Sequence, residues 1–147
     1  PVRIYYETVE AFPLTEAQAA LLNYPARLER EDTKELFLEL HRSPWEEVLQ
    51  LTDRFRFKKV NKRFEELAYD PSFDLIYFDA FAPDAQPDLW EMPLLGKMYE
   101  ALRPDGIIVT YCAKGSVKRA LKGLGFSLEA LPGPPGKREM TRGQKKA

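Results

Sequence analysis

The sequence is poor in the residues that build disulfides and metal sites. Its 147 residues include one cysteine, Cys112, and one histidine, His41. A single cysteine cannot form an internal disulfide, and this pair alone cannot complete a zinc site of the usual kind. One cysteine also fits a reducing compartment, so we expect a cytoplasmic protein whose site uses no metal.

Long apolar segments are missing as well. No apolar run approaches the ~20 residues of a membrane-spanning helix, and the first residues show no signal-peptide pattern. We therefore expect no membrane association. The chain has the length of one domain, and its hydrophobic content of 44% can supply a core. We predict one domain over 1–147, with a flexible tail at 141–147.

A third absence is a glycine-rich phosphate loop. Neither G-x-G-x-x-G nor G-x-G-x-G occurs anywhere in the sequence. In nucleotide-binding sheets such a loop normally follows the first strand and holds the charged part of the ligand. The sequence therefore predicts that the first strand of this chain corresponds to the second strand of such a sheet.

Charge is nearly balanced but unevenly placed. Residues 1–96 contain 11 lysines and arginines against 19 acidic residues, whereas residues 97–147 contain 11 against 4. A basic C-terminal part favours contact with a polyanion. The same pattern is also typical of a solvated face followed by a basic tail.

Apolar periodicity predicts strands that alternate with helices. The predicted strands are 2–9, 54–60, 74–79, 106–111, 126–131 and 138–141. The predicted helices are about 16–23, 32–42, 45–52, 92–102 and 116–123. The 74–79 segment is nearly all apolar, which is typical of a buried central strand. We predict an α/β fold with a mostly parallel sheet and one antiparallel edge strand.

Carboxylates follow two of the predicted strands, where ligands bind in open α/β sheets. Glu10, with Glu7 as the reserve candidate, can accept hydrogen bonds from two ribose hydroxyls. Either residue can equally be an ordinary exposed glutamate. Asp79 ends an apolar strand, and burying a carboxylate there is costly unless it gains hydrogen-bond donors. A ligand can provide them, or Asp79 can cap its own loop.

Aromatic and basic residues surround these strand ends. Phe81, Trp90 and Tyr111 have side chains that can stack on a base, although large aromatics more often pack internally. A phosphate-binding surface is predicted from the basic residues Lys114, Lys118, Arg119, Lys137 and Arg138.

Five segments carry a family resemblance. They are VEAFPLT (9–15), FDLIYFDAFAPDAQPDLW (73–90), LRPDGIIVTYCAKGSVKRAL (102–121), LGFSLE (124–129) and PGPPGKREM (132–140). In this order they resemble the MnmC-type tRNA methyltransferase family, in its stand-alone MnmD-like form. The stretch 31–70 matches weakly, and no acidic residue in 61–65 aligns with the family's adenine contact.

The resemblance implies a Rossmann-like class I methyltransferase sheet that uses S-adenosyl-L-methionine. The implied substrate is the wobble uridine in the tRNA anticodon loop, whose 5-aminomethyl-2-thiouridine becomes the 5-methylaminomethyl form. Glu10 would hold the cofactor ribose, and Asp79 would lie beside the methyl donor and the acceptor amine. Phe81, Pro83 and Trp90 would shape the acceptor pocket, with Tyr111 nearby. Lys137 and Arg138 would meet tRNA phosphates at its mouth.

The family also carries an N-terminal strand and a G-F-G-T-G-L-N loop that this chain lacks. We therefore expect a partial methyltransferase domain, corresponding to the C-terminal portion of such a domain. Without that strand and its helix, apolar sheet surface would be exposed. We therefore expect the isolated chain to be marginally stable or to form a homo-oligomer. An FAD-dependent oxidase is the expected fused domain or partner in relatives. A non-catalytic tRNA- or protein-binding fragment and a methyltransferase for another amine remain alternatives.

Overall fold

The structure is a computed structural model that describes residues 1–28 and 32–146. The chain divides into two compact units, Pro1–Arg63 and Phe64–Ala147. Each unit contains its own β-sheet. The single domain predicted from length stays a prediction.

The first unit is built on a three-stranded sheet. Its strands are β1 (Ile4–Val9), β2 (Val48–Thr52) and β3 (Phe55–Val60). β3 lies in the middle, parallel to β1 and antiparallel to β2. The helices between β1 and β2 in the chain are α1 (Glu16–Ala20), α2 (Tyr24–Arg27) and α3 (Asp32–Arg42). Thr15 caps α1 through a capping box with Gln18, and α1 ends earlier than the predicted helix at 16–23.

The predicted helix over 45–52 is wrong. Glu46 has a φ of 64°, a left-handed conformation that a helix cannot continue through. From Val48 to Thr52 exposed residues alternate with half-buried leucines, which is the two-residue period of a strand. Only Asp53 and Arg54 separate β2 from β3, so the two strands form a tight hairpin.

The second unit is built on a four-stranded sheet in the order β4-β5-β7-β6. The strands are β4 (Phe73–Tyr77), β5 (Leu102–Thr110), β6 (Phe126–Pro132) and β7 (Glu139–Lys145). The α-helices are α4 (Met92–Ala101) and α5 (Gly115–Gly123), and short 3-10 helices span Phe64–Glu66 and Pro87–Trp90. β4 and β5 are parallel, and β7 is antiparallel to both of its neighbours.

The reversed strand is β7, and its position corrects two predictions. β7 lies between β5 and β6, whereas the sequence predicted the antiparallel strand at an edge. Its pairing continues to Lys145, so the flexible tail predicted for 141–147 is wrong for 141–145. Residue 147 lies outside the described residues. Both errors arise because the apolar signal of β7 is weak: its residues 142–145 are polar or glycine.

β4 is an edge strand of this sheet rather than the predicted central one. Leu75 is 43% exposed and Tyr77 is 67% exposed, so the strand is not fully buried. The parallel pairing of β4 with β5 is nevertheless as predicted. It brings the C-terminal ends of β4 and β5 side by side, which positions the candidate site.

The pairing of β4 with β5 is interrupted by a bulge at residues 103–106. Phe73 pairs with Leu102, but Leu75 already pairs with Ile107. The residues between Leu102 and Ile107 therefore loop out of the ladder, with Asp105 at a φ of 65°. Beyond this bulge β5 runs as predicted, with Ile108 and Thr110 buried.

The core of the second unit is supplied by α4, α5 and the sheet. Its fully buried side chains include Leu95, Leu102, Ile108, Val117 and Leu121. Pro93 lies in the first turn of α4, where a missing N–H is tolerated. Within 1–28 and 32–146, no helix combines the length and apolarity needed to cross a bilayer.

Candidate active site

Asp79 lies just beyond the C-terminal end of β4 and is exposed. The preceding residue is still held in the sheet, because the Phe78 N–H donates to the Val109 carbonyl oxygen at 2.8 Å. Among the described residues, no hydrogen bond or ion pair engages the Asp79 carboxylate. The loop cap that was the alternative interpretation of Asp79 is therefore not formed, and the carboxylate can receive donors from a ligand.

The loop that follows Asp79 is fastened by two side-chain donors. The Tyr111 hydroxyl donates to the Ala80 carbonyl oxygen at 2.7 Å, and the Trp90 indole N–H donates to the Phe81 carbonyl oxygen at 2.7 Å. Ala80 itself is buried. The carbonyl groups of Ala80 and Phe81, the two residues directly after Asp79, are thus both held by side-chain hydrogen bonds.

The aromatic residues of this region have different exposures. Trp90 is only 5% exposed and lies edge-to-face between Phe78 and Tyr111, at ring-centroid distances of 5.1 and 6.1 Å. Phe81, by contrast, is 72% exposed. Of the three aromatics expected to line the pocket, Phe81 is therefore the one free to stack on a base. Pro83 is half-buried in the same loop.

Tyr111 has a perturbed environment. Burial, followed by the nearby Cys112 and Asp79 groups, raises the pKa of the Tyr111 phenol, so the hydroxyl stays protonated and can donate to Ala80. Lys137 Nζ lies 3.7 Å from the centroid of the Tyr111 ring, a cation–π contact.

The predicted phosphate-binding residues divide into two groups. Lys114 pairs with Asp84 at 2.5 Å, Lys118 pairs with Glu139 at 2.7 Å, and Lys137 lies over Tyr111. Arg119 and Arg138 are exposed, and their guanidinium groups form no hydrogen bond or ion pair within the described ranges. The two arginines are therefore the members of the set that are free to meet phosphate.

The candidate ribose-binding carboxylates belong to the first unit. Glu10 follows β1 directly, and its Oε1 accepts the Phe12 N–H at 2.8 Å. Its backbone is fixed to β3 by the bond from the Glu10 N–H to the Val60 carbonyl oxygen and by the Asn61 amide, which donates to the Glu10 carbonyl oxygen at 2.8 Å. Sequence reasoning missed Asn61, although a short amide directly after a strand is a signal of such a contact.

Glu7 has a different setting, inside β1 rather than at its end. Its carboxylate accepts the Tyr5 hydroxyl at 2.6 Å. Burial and this hydrogen bond raise the pKa of Tyr5 to about 12. Because Glu7 already has a partner and Glu10 lies at the strand end, the geometry favours Glu10 as the ligand-facing carboxylate.

Comparisons with known proteins bear on the family and the fold of the chain. A family model described as S-adenosyl-L-methionine-dependent methyltransferase matches residues 25–146. The "tRNA 5-methylaminomethyl-2-thiouridine biosynthesis bifunctional protein MnmC" of Hydrogenovibrio crunogenus is 30% identical over 148 residues, which cover 97% of this chain and 22% of that protein. The chain thus spans about a fifth of the length of the curated relatives it matches.

Solved structures are similar over the same extent. The crystal structure of MNMC2 from Aquifex aeolicus superposes with a TM-score of 0.72 and 27% identity, covering 99% of this chain and 45% of that one. An S-adenosylmethionine-dependent O-methyltransferase from Thermotoga maritima gives a TM-score of 0.50 at 20% identity, covering 96% and 49%. The second likeness concerns the fold alone. Together they confirm the predicted Rossmann-like methyltransferase architecture.

Proposed function

Because the chain belongs to the family of S-adenosyl-L-methionine-dependent methyltransferases, we propose that it takes part in methylating the wobble uridine of tRNA in the cytoplasm. The acceptor is the 5-aminomethyl group of 5-aminomethyl-2-thiouridine, and the product is the 5-methylaminomethyl form. The name of the Hydrogenovibrio crunogenus relative supports this substrate, and its word "bifunctional" supports a second, fused activity. The exposed, unpaired Asp79 at the end of β4 is the observation that carries the proposal.

The residues at the end of β1 fit the cofactor. Ribose presents two adjacent hydroxyl donors, and the exposed Glu10 carboxylate offers acceptor positions beyond the one used by the Phe12 N–H. The Glu10 N–H donates to the Val60 carbonyl oxygen and the Asn61 side-chain amide donates to the Glu10 carbonyl oxygen, so the backbone of Glu10 is fixed without using its carboxylate oxygens. Glu10 would thus bind the ribose of S-adenosyl-L-methionine.

This role predicts unequal effects of two matched substitutions. Glu10→Gln should weaken binding of S-adenosylhomocysteine about tenfold or more, because a hydrogen bond to a charged acceptor contributes about 1.5–3 kcal/mol. Glu7→Gln should leave the affinity unchanged, because Glu7 serves Tyr5. Isothermal titration calorimetry on the full-length protein measures both. The opposite pattern would assign the ribose contact to Glu7.

The chemistry requires positioning more than covalent help. When bound, the cofactor supplies an electrophilic methyl group on sulfur. Asp79 would receive the acceptor amine, fix its direction by a charge-assisted hydrogen bond, and accept a proton from it. A carboxylate also stabilises the ammonium form of a neighbouring amine, and that form cannot attack. Orientation is therefore the larger part of its proposed contribution.

The loop after Asp79 would hold the base. A wobble base can leave the anticodon stack at modest cost, since it is not paired within the free loop. Phe81 is exposed next to Asp79 and offers a ring on which the base can stack. Trp90 would shape this pocket only from below, because it is buried under the loop.

The reaction itself is tested with tRNA that carries 5-aminomethyl-2-thiouridine and with isotopically labelled S-adenosyl-L-methionine. Label is expected in 5-methylaminomethyl-2-thiouridine after digestion to nucleosides. A matched tRNA with an unmodified wobble uridine should acquire none, because it offers no amine. Label on another nucleoside would contradict the substrate, and binding of tRNA without any transfer would favour a non-catalytic role.

A further inference from the structure

The side-chain contacts of the loop after Asp79 indicate a role for Tyr111 and Trp90 other than base stacking. Tyr111 and Trp90 look from the sequence like base-stacking residues. In the structure each donates a hydrogen bond to the backbone of the loop, and the two acceptors are the consecutive carbonyl oxygens of Ala80 and Phe81, each at 2.7 Å. These are the peptide groups that follow Asp79 and flank the exposed Phe81 ring.

The donors are themselves held firmly. Trp90 packs edge-to-face against Phe78, the residue before Asp79, and against Tyr111. Tyr111 follows β5, the strand that pairs with β4, so its position is set by the sheet. The short 3-10 helix Pro87–Trp90 fixes Trp90 from the other end of the loop. The loop after Asp79 is therefore hydrogen-bonded to two donors, Tyr111 and Trp90, whose own positions are fixed by the sheet and by the 3-10 helix.

Lys137 occupies a face of the Tyr111 ring. Its ammonium nitrogen lies 3.7 Å from the ring centroid, and it comes from the β6–β7 turn. That turn is tight: the Lys137 N–H donates to the Pro134 carbonyl oxygen at 2.9 Å, and a Cβ on Gly133 would come within 2.4 Å of the Lys137 carbonyl oxygen. With Lys137 on one face and the Trp90 edge nearby, Tyr111 is poorly placed to stack on a base.

We propose that Tyr111 and Trp90 are positioning residues, whose hydrogen bonds to the Ala80 and Phe81 carbonyl groups hold Asp79 and Phe81 in the geometry that methyl transfer needs. The inference rests on the proposed function for its catalytic consequence, but the fastening of the loop is independent of it. A residue that acts in this way raises kcat, because it restricts the carboxylate to the productive arrangement without adding a contact to tRNA.

Tyr111→Phe isolates the hydroxyl, since the ring, its contact with Trp90 and the cation–π contact all remain. We expect kcat to fall about three- to tenfold, the value of one neutral hydrogen bond, with KM for tRNA within about twofold of wild type. Tyr77→Phe is the matched control, because its exposed side chain makes no hydrogen bond within the part of the chain that the structure describes. It should change neither constant.

A second measurement separates this inference from the reaction. The backbone N–H groups of Ala85 and Gln86 both donate to the Ala82 carbonyl oxygen, at 2.8 and 3.0 Å, so their hydrogen exchange reports opening of the loop. Tyr111→Phe should accelerate exchange at both positions, and Tyr77→Phe should not. The exchange measurement needs no substrate. It therefore tests whether Tyr111 holds the loop even if the wild-type protein methylates a different acceptor.

Two results would overturn the inference. Unchanged exchange in Tyr111→Phe would mean that the hydroxyl does not hold the loop, and faster exchange with unchanged kcat would make the hydrogen bond purely structural. If Tyr111→Phe unfolds, Lys137→Gln replaces it, because it keeps the hydroxyl but removes the cation that lies on one face of the ring. Since Lys137 is also a predicted phosphate contact, kcat is compared at saturating tRNA. It should change exchange and kcat in the same directions by smaller factors, and the absence of both effects would count against the proposal.

Discussion

Asp79→Ala in the full-length protein is expected to lower kcat for methyl transfer to aminomethyl-thiouridine tRNA by about 10- to 150-fold, the range that corresponds to a lost charge-assisted hydrogen bond. The expectation follows from the setting of the carboxylate. It lies at the end of a strand held in the sheet, it is exposed, and no partner satisfies it among the described residues. A carboxylate with no structural partner can be removed without disturbing the fold, so the loss should be confined to the reaction.

Asp84→Ala is the matched control for this experiment. Asp84 is another exposed aspartate in the same loop, but its carboxylate pairs with Lys114. Exposed ion pairs contribute only about 0–1 kcal/mol, so its loss should change kcat by less than about fivefold. Near-normal turnover of Asp79→Ala, or an equal loss in both variants, would remove Asp79 from the proposed role.

Asp79→Asn distinguishes orientation from proton acceptance. The amide keeps an acceptor oxygen at the same place but no longer stabilises a neighbouring ammonium group. The acceptor amine would then lose its proton at lower pH, so the pH–rate profile should move toward acid while the maximal rate falls. A loss as complete as that of Asp79→Ala, with no such movement, would instead make the carboxylate essential as a base.

The sequence predicted the strand ends better than the elements between them. β1, β3, β4 and α5 appear close to their predicted bounds, because their apolar patterns are strong and their ends carry glycine, proline or a carboxylate. Asp79 and Glu10 follow from this directly, since chemistry in α/β sheets sits where strands end. β2 was missed, and β7 was predicted too short and at the sheet edge, because their stability comes from pairing with neighbours, which no local period reveals.

Side-chain partnerships were the other part that the sequence could not supply. Trp90 and Phe81 are both large aromatics in one loop, yet one is buried and the other is exposed. Lys118 and Arg119 are adjacent cations, yet Glu139 pairs with the first and leaves the second free. Such differences depend on which segments the fold brings together, so a set of basic residues read from sequence mixes structural and binding roles.

This division among the basic residues leads to a sharper test of tRNA binding. Arg119 and Arg138 are exposed and unpaired within the described ranges, and the Lys118–Glu139 ion pair ties their two segments together. Arg119→Glu/Arg138→Glu should weaken tRNA affinity by roughly 25-fold or more at about 0.1 M salt, because each phosphate contact on a single strand scales binding with salt concentration to the power of about −0.7. The slope of log K against log salt should become shallower by about 1.4.

The control is Arg27→Glu/Lys34→Glu, which makes the same change in net charge on exposed residues of the first unit. If affinity depended only on overall charge, both double variants would weaken binding alike and with equal slopes. If the two arginines contact phosphate, only their variant should change the slope, because counterion release counts contacts rather than total charge. An unchanged slope in Arg119→Glu/Arg138→Glu would place the tRNA backbone elsewhere, and the basic C-terminal part would then be a solvated face, the alternative that its charge pattern also allowed.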